Sequence, residues 1–254
     1  MLAVSFFMTA LLYASVGFGG GSTYNALLVL AEVDFRILPV IALLCNLIVV
    51  SGGTDRFFRE GHIRFGRVTP WIVTSVPAAF LGGMLDISET FFIGLLGFSL
   101  LAAGVRMLCS RDKECAEPVF YRGRFLAPVI GTVLGLLAGL VGIGGGIFLA
   151  PVLYLLRWGT AREIAGTCSL FILVNSLAGL IGQMTKSGDS ESLISMLSAY
   201  WMLFPAVLIG GQIGSYMGAV RLNPKIVHLM TAMLILYVSA RLIWRWWGMV
   251  VQGF

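Results

Sequence analysis

The chain is poor in charge. Asp, Glu, Lys and Arg make up 11% of it against 58% hydrophobic residues, whereas soluble domains carry about 25% charged residues. That shortfall excludes an ordinary solvated surface. Other absences narrow the chemistry. The four cysteines show no CxxC or Cys/His ligand spacing, so neither a dithiol motif nor a metal site is expected. Cys45 and Cys168 fall inside apolar runs, and Cys109 and Cys115 flank a basic stretch, as small packing residues do. The two histidines, His62 and His228, have no metal spacing and no partners for catalysis, so an enzyme is not expected and no cofactor is implied. No Walker A run is present, so ATP does not drive the protein by itself. Ten-residue segments of alternating hydrophobicity are absent too, which excludes an outer-membrane barrel. Residues 1–14 lack a basic leader and a clear cleavage site, so they read as part of a first membrane segment and not as a signal peptide.

What the chain has is apolar runs near or above the roughly 18 residues that a membrane helix needs. The first unit, residues 2–31, is interrupted by Gly17-Phe18-Gly19-Gly20-Gly21. Spans follow at about 37–53, 68–85 and 90–108. The longest polar stretch, residues 106–124, divides the chain. A second unit at 125–156 is broken by Gly142-Ile143-Gly144-Gly145-Gly146, and spans follow to about 185, over 195–219 and to about 243. Trp244, Trp246 and Trp247 in the tail read as an interfacial anchor. The halves are copies. The glycine runs match at an offset of 125, Asn46 matches Asn175 at 129, and the stretch from Pro77 to Gly83 matches that from Pro205 to Gly211 at 128. So small a drift over half the chain is the mark of a duplication. The expected fold is an all-α polytopic membrane protein. Membrane repeat 1 covers residues 1–110, a basic cytoplasmic linker covers 111–124, and membrane repeat 2 covers 125–254.

Charge bears on how the repeats sit. If each glycine-broken unit crosses the membrane, the repeats are parallel. If each enters, turns and leaves on the same side, every half makes three crossings and the repeats are inverted. The basic connectors are 55–67, 106–124, 157–162 and 221–225; the acidic ones are 32–36, 86–89 and 186–191. Only the inverted arrangement puts all the basic connectors on one side, as the excess of Lys and Arg in cytoplasmic loops requires. Arg241 and Arg245 run against it. Each repeat is therefore expected to hold a re-entrant hairpin plus three transmembrane helices. The net charge of +5 is read as orientation and not as nucleic-acid binding.

Three glycines in a run are costly in a continuous helix, about 1 kcal/mol each relative to alanine. A helix that restarts at Gly21 or Gly146 has N–H groups without intrahelical partners and a partial positive charge at its first turn. Glycine lets an anion come close to that backbone. Two such starts near the midplane would hold an anion without burying Lys or Arg. The candidate binding residues are Gly19, Gly20, Gly21, Ser22, Thr23, Asn25, Asn46, Gly144, Gly145, Gly146, Ser169 and Asn175. Other readings stand beside this one. The glycines can serve close helix packing, and the paired Asn46 and Asn175 can be interhelical hydrogen bonds as readily as substrate ligands. Gln183 and Gln212 are weaker candidates, and Pro77 and Pro205 read as kinks.

The two Gly-x-Gly-Gly-Gly runs, the sequence Gly61-His62-Ile63-Arg64-Phe65 and the Pro-to-Gly-Gly stretches resemble the TauE/SafE sulfite exporter family over about residues 15–243. The resemblance implies a multi-spanning carrier of sulfur-containing anions such as sulfite and sulfoacetate in a bacterial inner membrane. The second half fits closely, with Pro151 after its glycine run. The first departs, since Ser22-Thr23-Tyr24-Asn25 stands where the family is apolar and ends in Pro. Those residues are therefore the expected seat of substrate choice. The expected function is export of such an anion by alternating access, with a passive anion channel and a non-transporting membrane subunit as alternatives. Expected partners are the small anion and the lipid bilayer, with a homodimer left open.

Overall fold

The computed structural model describes residues 2–31, 33–34, 37–85, 88–109, 126–187, 197–217 and 224–252. The expected linker at 111–124, the connector beyond Ser187 and Arg221 lie outside the described residues. Helices make up the described chain, with no strand. α1 (Leu2–Ser15) and α2 (Gly21–Leu30) flank the first glycine run, followed by α3 (Leu38–Arg59), α4 (Phe65–Met84) and α5 (Glu89–Cys109). α6 (Leu126–Val141) and α7 (Gly146–Leu155) flank the second run, followed by α8 (Ala161–Ser187), α9 (Leu203–Tyr216) and α10 (Pro224–Gln252).

Two described helices, α3 and α8, are long and apolar enough to cross a membrane; α1, α6 and α9 are apolar but shorter. Among the described residues of the span expected over 195–219, the helix is interrupted by turns at 199–202, and α9 supplies 14 residues, about 21 Å of helix. Residues ahead of it form tight turns, with Tyr200 N–H donating to Leu197 O and Leu203 N–H to Tyr200 O. The last span is longer than expected. α10 runs to Gln252, so the three tryptophans lie within a helix and not in a tail beyond it. Trp244 and Trp247 are exposed, as an anchor requires, but Trp246 packs edge-on against Phe98 of α5 at 5.4 Å between centroids.

The surface carries apolar stripes at helical spacing. Val4, Met8 and Leu12 are exposed on α1, Val129 and Val133 on α6, Leu177 and Ile181 on α8, Ile209 and Ile213 on α9. Asn46, Thr167, Asn175 and Ser176 are fully buried. Water would expel such stripes, whereas lipid accepts them. Lipid also provides no hydrophobic drive between helices, so close backbone contact through small residues must supply it. α6 does this at three successive turns. The carbonyls of Trp71, Ser75 and Ala79 on α4 occupy the positions that a Cβ at Gly131, Gly135 and Gly139 would take. Gly210 and Gly214 of α9 receive the carbonyls of Phe7 and Leu11 on α1 in the same way. In both pairs residue numbers rise together, so the helices run parallel. Gly139→Ala forces α4 and α6 apart and is expected to lower stability by about 1–3 kcal/mol, read as a fall in the melting temperature of detergent-solubilised protein.

α3 and α8 run side by side in opposite directions. Phe57 packs on Gly166, Thr54 bonds Ser169 at 3.1 Å, and Leu43 lies by Gly179. α5 and α10 are antiparallel as well, with Gly94 against Trp246 and Gly97 against Ile243. The α3–α8 pairing brings the connectors 55–67 and 157–162 to the same end of the bundle. There Arg64 pairs with Glu163 at 2.7 Å. Glu163 also accepts from Thr160 N–H at 2.9 Å while its own N–H reaches Thr160 Oγ1 at 3.3 Å, a reciprocal cap that starts α8. Burial and the neighbouring Arg162 push the His62 imidazole at this end below its ordinary pKa.

Candidate functional site

Each glycine run is a stop followed by a start. At its end, α1 turns on Gly17, with φ +82°, and Phe18 N–H donates back to Tyr13 O at 2.8 Å. α6 does the same on Gly142, with φ +70°, and Ile143 N–H donates to Ala138 O at 3.2 Å. This is the left-handed glycine cap that satisfies the last carbonyls of a helix. Three residues on, Gly20 (φ +91°) and Gly145 (φ +77°) begin the next helices. Thr23 and Tyr24 N–H both point to Gly20 O, and Phe148 and Leu149 N–H to Gly145 O. The N–H groups of Gly21 and Ser22, and of Gly146 and Ile147, precede those first bonds, so the partial positive end of each short helix is carried by them.

The two breaks meet. A Cβ on Gly21 would stand 3.0 Å from Ile143 Cα and 3.1 Å from Gly142 O. Asn46 fills the space between them. It is fully buried near the middle of α3, and its Nδ2 donates to Ile143 O at 3.0 Å. A Cβ on Gly21 would come within 2.6 Å of that nitrogen, and one on Gly19 would overlap Asn46 Oδ1. Gly144 faces the same amide from the second run, together with Ser176 Oγ and Ile172. Gly146 is covered by Ile172 and Cys168 O. The glycines fix the two turns and admit close protein neighbours.

The remaining candidates are distributed around this junction. Ser22 and Thr23 turn to the Tyr13 hydroxyl, at 3.5 and 2.7 Å. Asn25 Nδ2 donates to Val141 O at 2.9 Å, a second tie from the first hairpin to the second. Tyr24 between them stacks on Phe6. Ser169 lies one layer toward the arginine-rich end, bonded to Thr54 and to Val50 O at 3.3 Å. Asn175 differs from its sequence counterpart. Asn46 reaches across to the opposite hairpin, whereas Asn175 Nδ2 folds back on Phe171 O of its own helix at 2.8 Å. Asn46 Oδ1, Asn175 Oδ1, Ser176 Oγ and Thr167 Oγ1 are all buried with no hydrogen-bond partner among the described residues, which is costly unless another group supplies the bond.

Sequence reasoning missed Tyr13 and Ser176. Tyr13 is a polar tip in an apolar segment four residues before a glycine run, which could have marked it. Nothing local marks Ser176; only the packing of α8 on the second break brings it in.

A family model described as sulfite exporter TauE/SafE matches residues 1–242. A probable membrane transporter protein of Sinorhizobium fredii is 32% identical over 246 residues, covering 96% of this chain and 97% of the relative. One of Methanocaldococcus jannaschii is 24% identical, covering 89% of this chain and 86% of its own length. A sulfite exporter TauE/SafE family protein of Arabidopsis thaliana is 41% identical over 90 residues, 35% of this chain and 19% of that protein. No solved structure matches the chain.

Proposed function

The chain belongs to the sulfite exporter TauE/SafE family of membrane transporters, and from that premise we propose that it is a secondary transporter exporting a small sulfur-containing anion, sulfite or an organosulfonate such as sulfoacetate. The observation that carries this reading is the meeting of two glycine-broken helix starts beside Asn46, at the middle of the α3–α8 pair. Backbone N–H groups and helix dipoles attract an anion there without the cost of a buried side-chain charge. Gly19, Gly20, Gly21, Gly144, Gly145 and Gly146 shape the site. Ser22, Thr23, Asn25, Asn46, Ser169 and Asn175 supply hydrogen bonds as it opens. Transport is by alternating access, with the hairpin-bearing groups rocking about the α3–α8 axis. Asn46 engages the opposite hairpin in one state and Asn175 in the other.

The repeats are inverted in this reading. Its support is that sequence-equivalent helices run antiparallel, α3 to α8 and α5 to α10, whereas parallel repeats related by an axis along the membrane normal would align them. The arginine-rich end is then cytoplasmic, in a bacterial inner membrane. Single cysteines at Ser88 and Ser187, in a cysteine-free background, are expected to label from the same side with a membrane-impermeant maleimide; opposite sides would remove the inverted topology. The function is tested on purified protein in liposomes, screened against sulfite, sulfate, thiosulfate, sulfoacetate and taurine. Saturable flux of a sulfur oxyanion or sulfonate is expected. Flux that does not saturate would make the protein a channel. Absence of both binding and flux until another protein is added would make it a subunit.

A further inference from the structure

Arg56 is the one arginine among the described residues that combines a place on α3's inner face with a donor buried and unpartnered. It lies ten residues beyond Asn46, about 15 Å along the helix, and Asn46, Val49, Gly53 and Arg56 follow one another at spacings of three and four on the same face. Its Nη2 donates to Gln212 Oε1 of α9 at 3.2 Å, and its guanidinium stands 5.3 Å over the ring of Tyr216. Its Nη1 is buried with no hydrogen-bond partner among the described residues. One turn before Arg56 on this face, Gly53 is flanked by two serines. A Cβ on Gly53 would stand 3.1 Å from Ser169 Oγ and 3.7 Å from Ser215 Cβ.

The opposite end of the bundle lacks this set. At the offsets that relate the halves, Gly53 corresponds to Gly182, Arg56 to Thr185, Ser169 to Val40 and Gln212 to Met84. Thr185 is exposed and spends its hydroxyl on Ile181 O at 2.8 Å. The duplication keeps the glycine but replaces Arg56, Ser169 and Gln212, so no guanidinium stands at the matching place, where Gln183 is buried instead and donates to Gly139 O at 3.3 Å. A structural Arg–Gln tie would need one guanidinium nitrogen. The second, held out of water, calls for an oxyanion, since a guanidinium offers parallel donors that match two oxygens of one anion.

We infer that Arg56, oriented by Gln212 and Tyr216, forms a second oxyanion site on the arginine-rich side of the glycine junction, which captures the substrate from that face and gives transport a sided affinity. This rests on the anion-carrier reading above. A lipid phosphate has the same chemistry, so the test separates the two sources. Sulfite flux is measured in oriented liposomes of phosphatidylcholine alone and of phosphatidylcholine with phosphatidylglycerol, with sulfite supplied from each face in turn. Arg56→Gln is expected to raise the half-saturating sulfite concentration from the arginine-rich face by about tenfold or more, the worth of one charge-assisted bond, and to change that from the other face less than twofold. Arg56→Lys is expected to recover part of the loss, and high salt to narrow the difference between wild type and Arg56→Gln. Gln212→Leu keeps the charge, loses its orientation and is expected to raise the same value several-fold, which serves if Arg56→Gln does not insert. An equal change from both faces, or none in either variant, would overturn the site, as would a sided effect seen only with phosphatidylglycerol. Saturable wild-type flux combined with an unaffected Arg56→Gln removes this site alone; no wild-type flux of any sulfur anion removes the carrier reading with it.

Discussion

Gly145→Leu is expected to lower sulfite flux by roughly a hundredfold while the protein still inserts. Gly145 sits at φ +77° and opens α7. A side chain in that left-handed region costs about 1–2 kcal/mol. Its Cβ would lie 3.0 Å from Ala138 Cβ and 3.0 Å from Phe171 Cε1, and overpacking of this kind adds about 1–3 kcal/mol. The sum is of order 3 kcal/mol against the broken geometry, and about 1.4 kcal/mol is a factor of ten. Relief comes by moving the first turn of α7 away from Ala138 and Phe171, which displaces the Gly146 and Ile147 N–H groups that the proposed site uses. Gly248→Leu is the control, because a Cβ there meets nothing within 4 Å. Flux and sulfite binding measured on both variants decide the matter. Unchanged binding in Gly145→Leu would remove the glycine junction as the site.

Asn46→Leu is the second large effect. The substitution nearly conserves volume but removes the bond to Ile143 O and leaves that carbonyl buried without its donor, at a cost of about 1–3 kcal/mol. The bond belongs to one arrangement of the hairpins, so its loss shifts the balance between arrangements by roughly 5–150-fold and is expected to slow turnover by a similar factor. Asn175→Leu removes only a bond to its own helix in this arrangement. It is expected to leave thermal stability nearly unchanged while slowing turnover as Asn46→Leu does. Equal stability losses in the two variants, or turnover unaffected by Asn175→Leu, would count against an exchange of roles between the two asparagines.

The glycine runs show how far local sequence reaches. Four glycines in five residues have no stable place inside a helix, so the two breaks follow from backbone entropy alone. The recurring order of glycine, asparagine and proline positions was equally legible, because it is read without any contact being known. The length of α9 was not. Residues 195–219 are continuously apolar enough to read as a span, yet turns at 199–202 interrupt it. Hydropathy does not distinguish an unbroken lipid-facing helix from one interrupted by an apolar turn, just ahead of which Leu197 packs on the α3–α8 pair.

The sequence by itself determined the membrane class, the two breaks, their glycine turns and the family, because these depend on composition, backbone freedom and order along the chain. Tertiary structure alone decided that the breaks touch one another, that Asn46 and not Asn175 spans them, that Ser22 and Thr23 turn to Tyr13, and that Arg56 meets Gln212. Those relations join residues up to 156 positions apart through helices packed on glycine backbones. A glycine in the sequence says only that something can come close. Which carbonyl or amide comes there is set by the helix on the other side.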